Sequence, residues 1–160
     1  ARYCQRKIVG VKIIINSLHR NDINNADSNV KEINSKIKKL STKNYDMSIS
    51  NVAFQEYAEA LCYYHIITKK KLPTRKDLGI NTESYLLGLC DLTGELVRKA
   101  IDYAIRRNFD EAISIKELVA EIYSAFLQFN LRNGELRKKM DSIKYNLMKL
   151  EDLVYKIKSK

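Results

Sequence analysis

The 160 residues are 45% hydrophobic and 30% charged, with one proline, five glycines and no tryptophan, a balance that favours one soluble domain able to bury a core without disulfides. The net charge of +10 is spread along the chain, which speaks against a disordered basic arm and for a basic surface facing nucleic acid, an anionic membrane surface or an acidic partner. No apolar run is long enough to span a membrane, no signal-peptide pattern is visible, and Cys4, Cys62 and Cys90 have no metal-type spacing, so buried reduced thiols and a cytoplasmic setting are expected.

The scarcity of glycine and proline predicts long helices with short connections. Ile8, Val11, Ile14, Ile15 and Leu18 recur near helical spacing over residues 2–20, with Arg6, Lys7 and Lys12 among them. An Asn- and Asp-rich turn leads to a second helix over about 23–41, with Val30, Ile33, Ile37 and Leu40 as its apolar stripe. Its other faces carry Lys31, Lys36, Lys38 and Lys39, either a solvated face or contacts for phosphate. Ser41 to Asp46 is a polar connection. A third helix over about 48–70 has a stripe of Ile49, Val52, Glu56, Glu59, Ala60 and Tyr63. Glu56 and Glu59 therefore sit within an apolar face, where ionised carboxylates are costly unless a metal, a basic group or a raised pKa compensates.

Pro73 and Thr74 open a helical turn that ends at Leu78 and Gly79. Thr82 is the predicted N-cap of a central helix running to about Asn108. Ser114 and Glu117 make a capping-box pattern that starts a helix with Leu118, Ile122, Ala125, Phe126 and Phe129. After a connection at Asn130 to Gly134, the last helix spans about 134–158. Its Leu136, Met140, Ile143, Leu147, Leu150, Val154 and Ile157 form a 3–4 repeat suited to a coiled-coil-like seam. No strand alternation competes. The expectation is an all-α fold, a single-domain antiparallel helical bundle over 1–160, with about six long helices plus one short helix.

The central helix has an unusual face. One stripe collects Ser84, Leu87, Gly88, Asp91, Glu95, Arg98 and Asp102, while Leu86, Leu89, Leu92, Leu96, Val97 and Ile101 occupy the other side. Two carboxylates thus lie among glycines and leucines. Gly88 and Gly94 each cost a helix about 1 kcal/mol relative to alanine, which suggests close approach by another element. Asp91 and Glu95 repel at i,i+4, and either Arg98 or a divalent cation would relieve them.

Glu56/Glu59 and Asp91/Glu95 are thus two acidic pairs, each on one face of a helix. If the two helices pack together, four hard oxygen ligands suited to Mg²⁺ or Mn²⁺ converge. In a basic protein such a site fits phosphodiester cleavage. A di-iron carboxylate site would need a Glu-x-x-His motif on two helices, and His19 and His65 do not have that spacing. Paired surface acids, or acids neutralised by Arg98 and lysines, are the alternative. His65 reads as a packed core histidine. Tyr57, Tyr63, Tyr64 and Tyr85 either stack on bases or pack in the core.

These residues carry a family resemblance. Tyr85 to Arg98 resembles the signature helix of the translin/Trax superfamily. Gln55 to His65, Gln-Glu-Tyr-Ala-Glu-Ala-Leu-Cys-Tyr-Tyr-His, is similar to the corresponding helix of Trax-like members. Leu72 to Ile80 and the run from Leu127 to Lys158, with Asn-Leu-Arg-Asn-Gly-Glu-Leu-Arg-Lys-Lys-Met, are closer to translin-like members. The resemblance implies an all-α subunit of a closed, usually octameric shell that holds single-stranded RNA or DNA inside. It also implies Mg²⁺-dependent endoribonuclease activity on the acids matching Glu56, Glu59, Asp91 and Glu95. Arg98, on the same stripe as Asp91 and Glu95, either orients an acid or contacts a phosphate. A single chain with both characters implies a homo-oligomer, as in archaeal members. The basic, histidine-containing segment that precedes the third helix in translin has no match in Tyr45 to Asn51, so its nucleic-acid contacts do not carry over. The rival readings are a non-catalytic single-strand-binding shell and a structural subunit that needs a catalytic partner.

Overall fold

A computed structural model describes residues 2–41, 47–131 and 134–159. It contains α1 (Arg2–His19), α2 (Ile23–Ser41), α3 (Met47–Lys69), α4 (Arg75–Leu78), α5 (Thr82–Ile105), α6 (Phe109–Leu127) and α7 (Glu135–Lys158), and no strand among the described residues. The all-α expectation of six long helices and one short one is met. The connection expected at 42–46 lies outside the described residues, as do the side chains of Cys4, Ile8, Lys38, Lys39, Leu40 and Ile49. No described helix is long and apolar enough to cross a membrane. The chain falls into two compact units, Ala1–Gly88 and Leu89–Lys160, with the boundary inside α5.

In the first unit α1 packs on α2 and α3. Of the predicted stripes, Val11, Ile14 and Leu18 on α1 and Val30, Ile33 and Ile37 on α2 are buried, Ile15 is half-buried, and Ala26, which the stripe did not include, is buried with them. The turn between them is a Schellman closure. Asp22 N–H donates to Ser17 O at 2.9 Å and Asn21 N–H to Leu18 O at 3.2 Å, with Asn21 left-handed at φ 59°. Asp22 then caps α2 by accepting from Asn25 N–H at 3.1 Å. On α3 the buried set is wider than one stripe, with Ala53, Tyr57, Ala58, Ala60, Leu61, Cys62, Tyr63 and Ile66. The four-residue α4 is held by a capping box between Thr74 and Asp77 and closed by left-handed Gly79 at φ 65°.

Two predicted helix starts are corrected. α5 is capped by Asn81, whose Oδ1 accepts from Ser84 N–H at 2.8 Å, and Thr82 is its first residue. α6 begins at Phe109, and Ser114 is an exposed mid-helix residue, not a cap. Asp110 and Glu111 stand in the first turn of α6, where their charges favour the helix dipole, so the start needs no box at Ser114. Ahead of it α5 ends in a second Schellman closure, Asn108 N–H to Tyr103 O at 2.8 Å and Arg107 N–H to Ala104 O at 3.1 Å. Arg107 takes the left-handed φ of 63° there.

In the second unit α6 packs on α7. Ala112, Ile115, Val119, Ile122 and Phe126 of α6 are buried, as are Met140, Ile143, Leu150 and Val154 of α7. The 3–4 repeat of α7 is therefore its packed seam. Ala125 and Phe129, expected on the apolar stripe of α6, are exposed.

Candidate carboxylate site

α3 holds Glu56 and Glu59 half-buried, one turn apart, next to the fully buried Ala60 and Tyr63. Their placement within a largely apolar face is as the spacing predicts, although Val52 at the start of the stripe is 51% exposed. Oε2 of Glu56 is shielded from solvent. The start of α5 presses on this same turn. Ser84 Oγ donates to Asn51 O at 3.3 Å, and a Cβ added at Gly88 would lie 2.6 Å from Ala58 Cβ and 2.8 Å from Gln55 O. The backbone N of Glu59 is 3.1 Å from the same point. Only glycine admits this approach. The close contact expected at the glycines is thus present at Gly88. At Gly94, which is exposed, the nearest atom is Asn146 Nδ2 at 3.8 Å, and no backbone crowds it.

In the second unit α5 carries Asp91 and Glu95, again half-buried and one turn apart. The cation that meets Asp91 is not Arg98, which is exposed, but Lys139 of α7. Its Nζ donates to Oδ1 at 2.8 Å and to Oδ2 at 2.7 Å. Two turns along α7, Asn146 Nδ2 donates to Thr93 Oγ1 at 2.9 Å, and that hydroxyl donates to Cys90 O at 2.7 Å. These contacts tie α7 to the acidic turn of α5. Lys99 is a second cation that sequence reasoning passed over. It is fully buried, with Nζ 5.2 Å from the centre of the Tyr103 ring. Its i,i+4 spacing from Glu95 was visible in the sequence, but its burial was not. No sequence signal pointed to Lys139, because its partner is 48 residues away.

Each acidic pair offers carboxylate oxygen alone, the donor type Mg²⁺ and Mn²⁺ take, and the Lys139 ammonium already neutralises Asp91. All four are engaged with neighbouring groups. Among the described residues no three His, Cys, Asp or Glu side chains are arranged to hold a metal by themselves. Mg²⁺ rarely uses such a cage; one or two carboxylates, waters and substrate phosphate suffice.

Burial pushes Cys62 up to about 12 and, with Asp91 adding to it and Lys139 opposing, Cys90 to about 12. The four tyrosines considered for stacking are tied down by their hydroxyls. Tyr57 donates to Asn34 Oδ1 at 2.8 Å, Tyr64 to Asp27 Oδ1 at 2.6 Å and Tyr85 to Pro73 O at 2.8 Å, while Tyr63 OH lies 3.2 Å from His19 Nδ1. His65 is half-buried at a cavity of about 420 Å³ that Tyr57, Leu61 and Asn34 also line. Burial holds its pKa below the ordinary 6.5, Lys69 lowers it further and Asp77 opposes.

Residues 8–159 match the Translin family. Translin of Gallus gallus is 34% identical over 76 residues, 48% of this chain and 33% of that protein. An uncharacterised protein of Methanocaldococcus jannaschii is 30% identical over 136 residues, 81% of this chain and 61% of that one. Translin-associated protein X of Rattus norvegicus is 25% identical over 137 residues, 65% of this chain and 47% of that one. The chain therefore spans from a third to about three fifths of the length of these relatives. Among solved structures, apo-NeC3PO superposes with a TM-score of 0.88 at 31% identity, covering 95% of this chain and 84% of that one. AfC3PO in complex with duplex RNA superposes with a TM-score of 0.86 at 22% identity, covering 99% and 86%, a likeness of fold alone.

Proposed function

This chain belongs to the Translin family, and from that premise we propose that it is a Mg²⁺-dependent endoribonuclease that cuts single-stranded RNA inside a homo-oligomeric shell, most simply an octamer, in the cytoplasm. Single-stranded DNA is a further ligand of the same shell. The observation that carries the reading is the pair of half-buried carboxylates on each of two helices. The net charge of +10 supports a polyanionic ligand, and the solved complex of AfC3PO contains duplex RNA.

Glu56, Glu59, Asp91 and Glu95 are the residues that would hold Mg²⁺, or Mn²⁺ in its place. The bound ion supplies a water of lowered pKa and a Lewis acid for the charge that develops on the phosphate. A carboxylate of the four that did not hold the ion would be placed to act as a general base. The half-burial of the acids limits competing water around them and strengthens their field. The exposed Arg98 is placed to meet substrate phosphate, and Lys139 balances the charge of Asp91.

The test is cleavage of an end-labelled single-stranded RNA with Mg²⁺ and with EDTA, beside Glu59→Ala. Loss of cutting in EDTA, and a fall of at least about a hundredfold in the variant with RNA still bound, is the expected result. Cutting that survives EDTA or the variant would overturn the metal site. A second reading, a non-catalytic RNA-binding shell, is favoured by the existing neutralisation of Asp91 by Lys139. It predicts binding without cleavage under any divalent metal.

A further inference from the structure

His65 lies about 180° round α3 from Glu56, so it faces away from that acid. There it lines the cavity of about 420 Å³ among residues of α2, α3 and α4, a volume within the range of about 300–1,000 Å³ that small ligands occupy. Ile37, Leu61, Leu78 and the ring of Tyr57 make buried, largely apolar walls. Two polar groups in the wall have bonding capacity to spare. Tyr57 OH donates to Asn34 Oδ1 at 2.8 Å, which leaves the Asn34 amide donors unbonded among the described residues. His65 meets Tyr64 edge-on at 5.7 Å, and its ring nitrogens make no hydrogen bond among the described residues. Burial favours its neutral form, in which one nitrogen donates and the other accepts.

The mouth of the cavity is positive. Lys76, exposed on α4, lines it. Lys69, at the end of α3, is near enough to His65 to depress its pKa, and Lys71 is near enough to Asp77 to depress that one. Asp77 also lines the cavity, but its Oδ2 already accepts from Thr74 N–H at 2.7 Å and from Thr74 Oγ1 at 2.8 Å. Three ammonium groups thus stand around one carboxylate that is committed to a helix cap. Apolar walls match a flat ring, the amide and imidazole match donors and acceptors on that ring, and the cations match a phosphate. A nucleotide carries all three. A sugar phosphate lacks the ring, and a nucleoside lacks the charge.

We infer that this cavity is a nucleotide-binding pocket: the base lies against Tyr57, Leu61 and Leu78 and hydrogen-bonds Asn34 and His65, while the phosphate stays at the mouth on Lys76. Unstacked bases are held in this way, by contact with aromatic rings and by hydrogen bonds to their edges. A free nucleotide and one nucleotide of a single-stranded RNA present the same chemistry to it. The pocket shares no residue with Glu56, Glu59, Asp91 and Glu95 and needs no metal, so it stands or falls apart from the cleavage reading.

The experiment is calorimetric titration of each ribonucleoside monophosphate, in metal-free buffer, into the full chain and its Lys76→Glu, Asn34→Leu and Lys149→Glu variants. The last makes the same change of charge at an exposed position on α7. One nucleotide per chain is expected to bind for at least one base, with ribose phosphate and the matching nucleoside weaker by about tenfold. Lys76→Glu is expected to weaken the nucleotide by about tenfold, the scale of one charge-assisted hydrogen bond, and to leave the nucleoside unchanged. Asn34→Leu should weaken both. No binding of any nucleotide to the folded chain overturns the proposal. So does an equal loss in Lys76→Glu and Lys149→Glu, which is general attraction to a basic surface. Lys76 is exposed, so its variant decides even where Asn34→Leu fails to fold. Displacement of the bound nucleotide by a short single-stranded RNA supports the pocket as a seat for a nucleotide of the strand, and RNA that binds without displacing it supports a seat for a free nucleotide.

Discussion

Gly88 and Gly94 are six positions apart on one helix and stand in opposite situations. A methyl group at Gly88 meets the backbone and Ala58 of α3 at 2.6–3.1 Å, whereas at Gly94 it meets only the flexible end of Asn146 at 3.8 Å. Gly88→Ala should therefore destabilise by about 1–3 kcal/mol through overpacking. Gly94→Ala should stabilise by about 1 kcal/mol through helix propensity. Urea unfolding of both variants checks the opposite signs. His65 gives a pH dependence at the same scale. Its folded pKa lies below 6.5 because of burial, Lys69 opposing the charged form as well, so the unfolded chain takes up the proton first as pH falls. Stability is then lost as pH falls from about 6.5 through the folded pKa, and it is present above that window. Melting curves of the wild type and His65→Gln between pH 7.5 and 5.5 should show a smaller acid-side loss in the variant.

At the scale of elements, helix bodies were legible in the sequence and helix ends less so. The stripes of α1, α2 and α7 are buried as their spacing predicts, because apolar residues at i, i+3 and i+4 leave one way to hide a helix face. The start of α6 was misplaced because Ser114 and Glu117 fit a capping pattern that the helix runs through. The caps that do form can be tested. Thr74→Ala removes the hydroxyl that accepts from Asp77 N–H and should cost about 1 kcal/mol, read by urea unfolding. Asp77 accepts from the Thr74 N–H, which lowers its pKa below the ordinary 3.8, so this capping box contributes above that pH and is lost as pH falls through the depressed value. Arg107 pays for a left-handed φ of 63° at the end of α5, and Arg107→Gly should raise the melting temperature by relieving it.

At the scale of the whole molecule the net charge of +10 bears on partners rather than on fold. If RNA is the ligand, its affinity should fall at least about tenfold between 50 and 200 mM salt, with a linear log–log slope set by the number of phosphate contacts. Filter binding across a salt series measures that slope. Native mass spectrometry tests the shell: an assembly of eight chains is the expected mass, and a monomer would overturn it. The family match over residues 8–159 takes in residues of both compact units.

The amino-acid order by itself determined the helix periodicity, the two carboxylate pairs and the family motifs, since these depend on spacing within a single helix. Glu56 and Glu59 could be placed on one face from three residues of separation alone, and Asp91 and Glu95 from four. The tertiary structure decided which groups meet those acids. It set Lys139 of α7 on Asp91 across 48 residues of chain and left Arg98 exposed. It also buried Lys99 and brought the α3 backbone against Gly88 but not Gly94. The physical reason is that helical spacing fixes direction about one axis, while the identity of a neighbour depends on how separate helices pack, which no local pattern encodes.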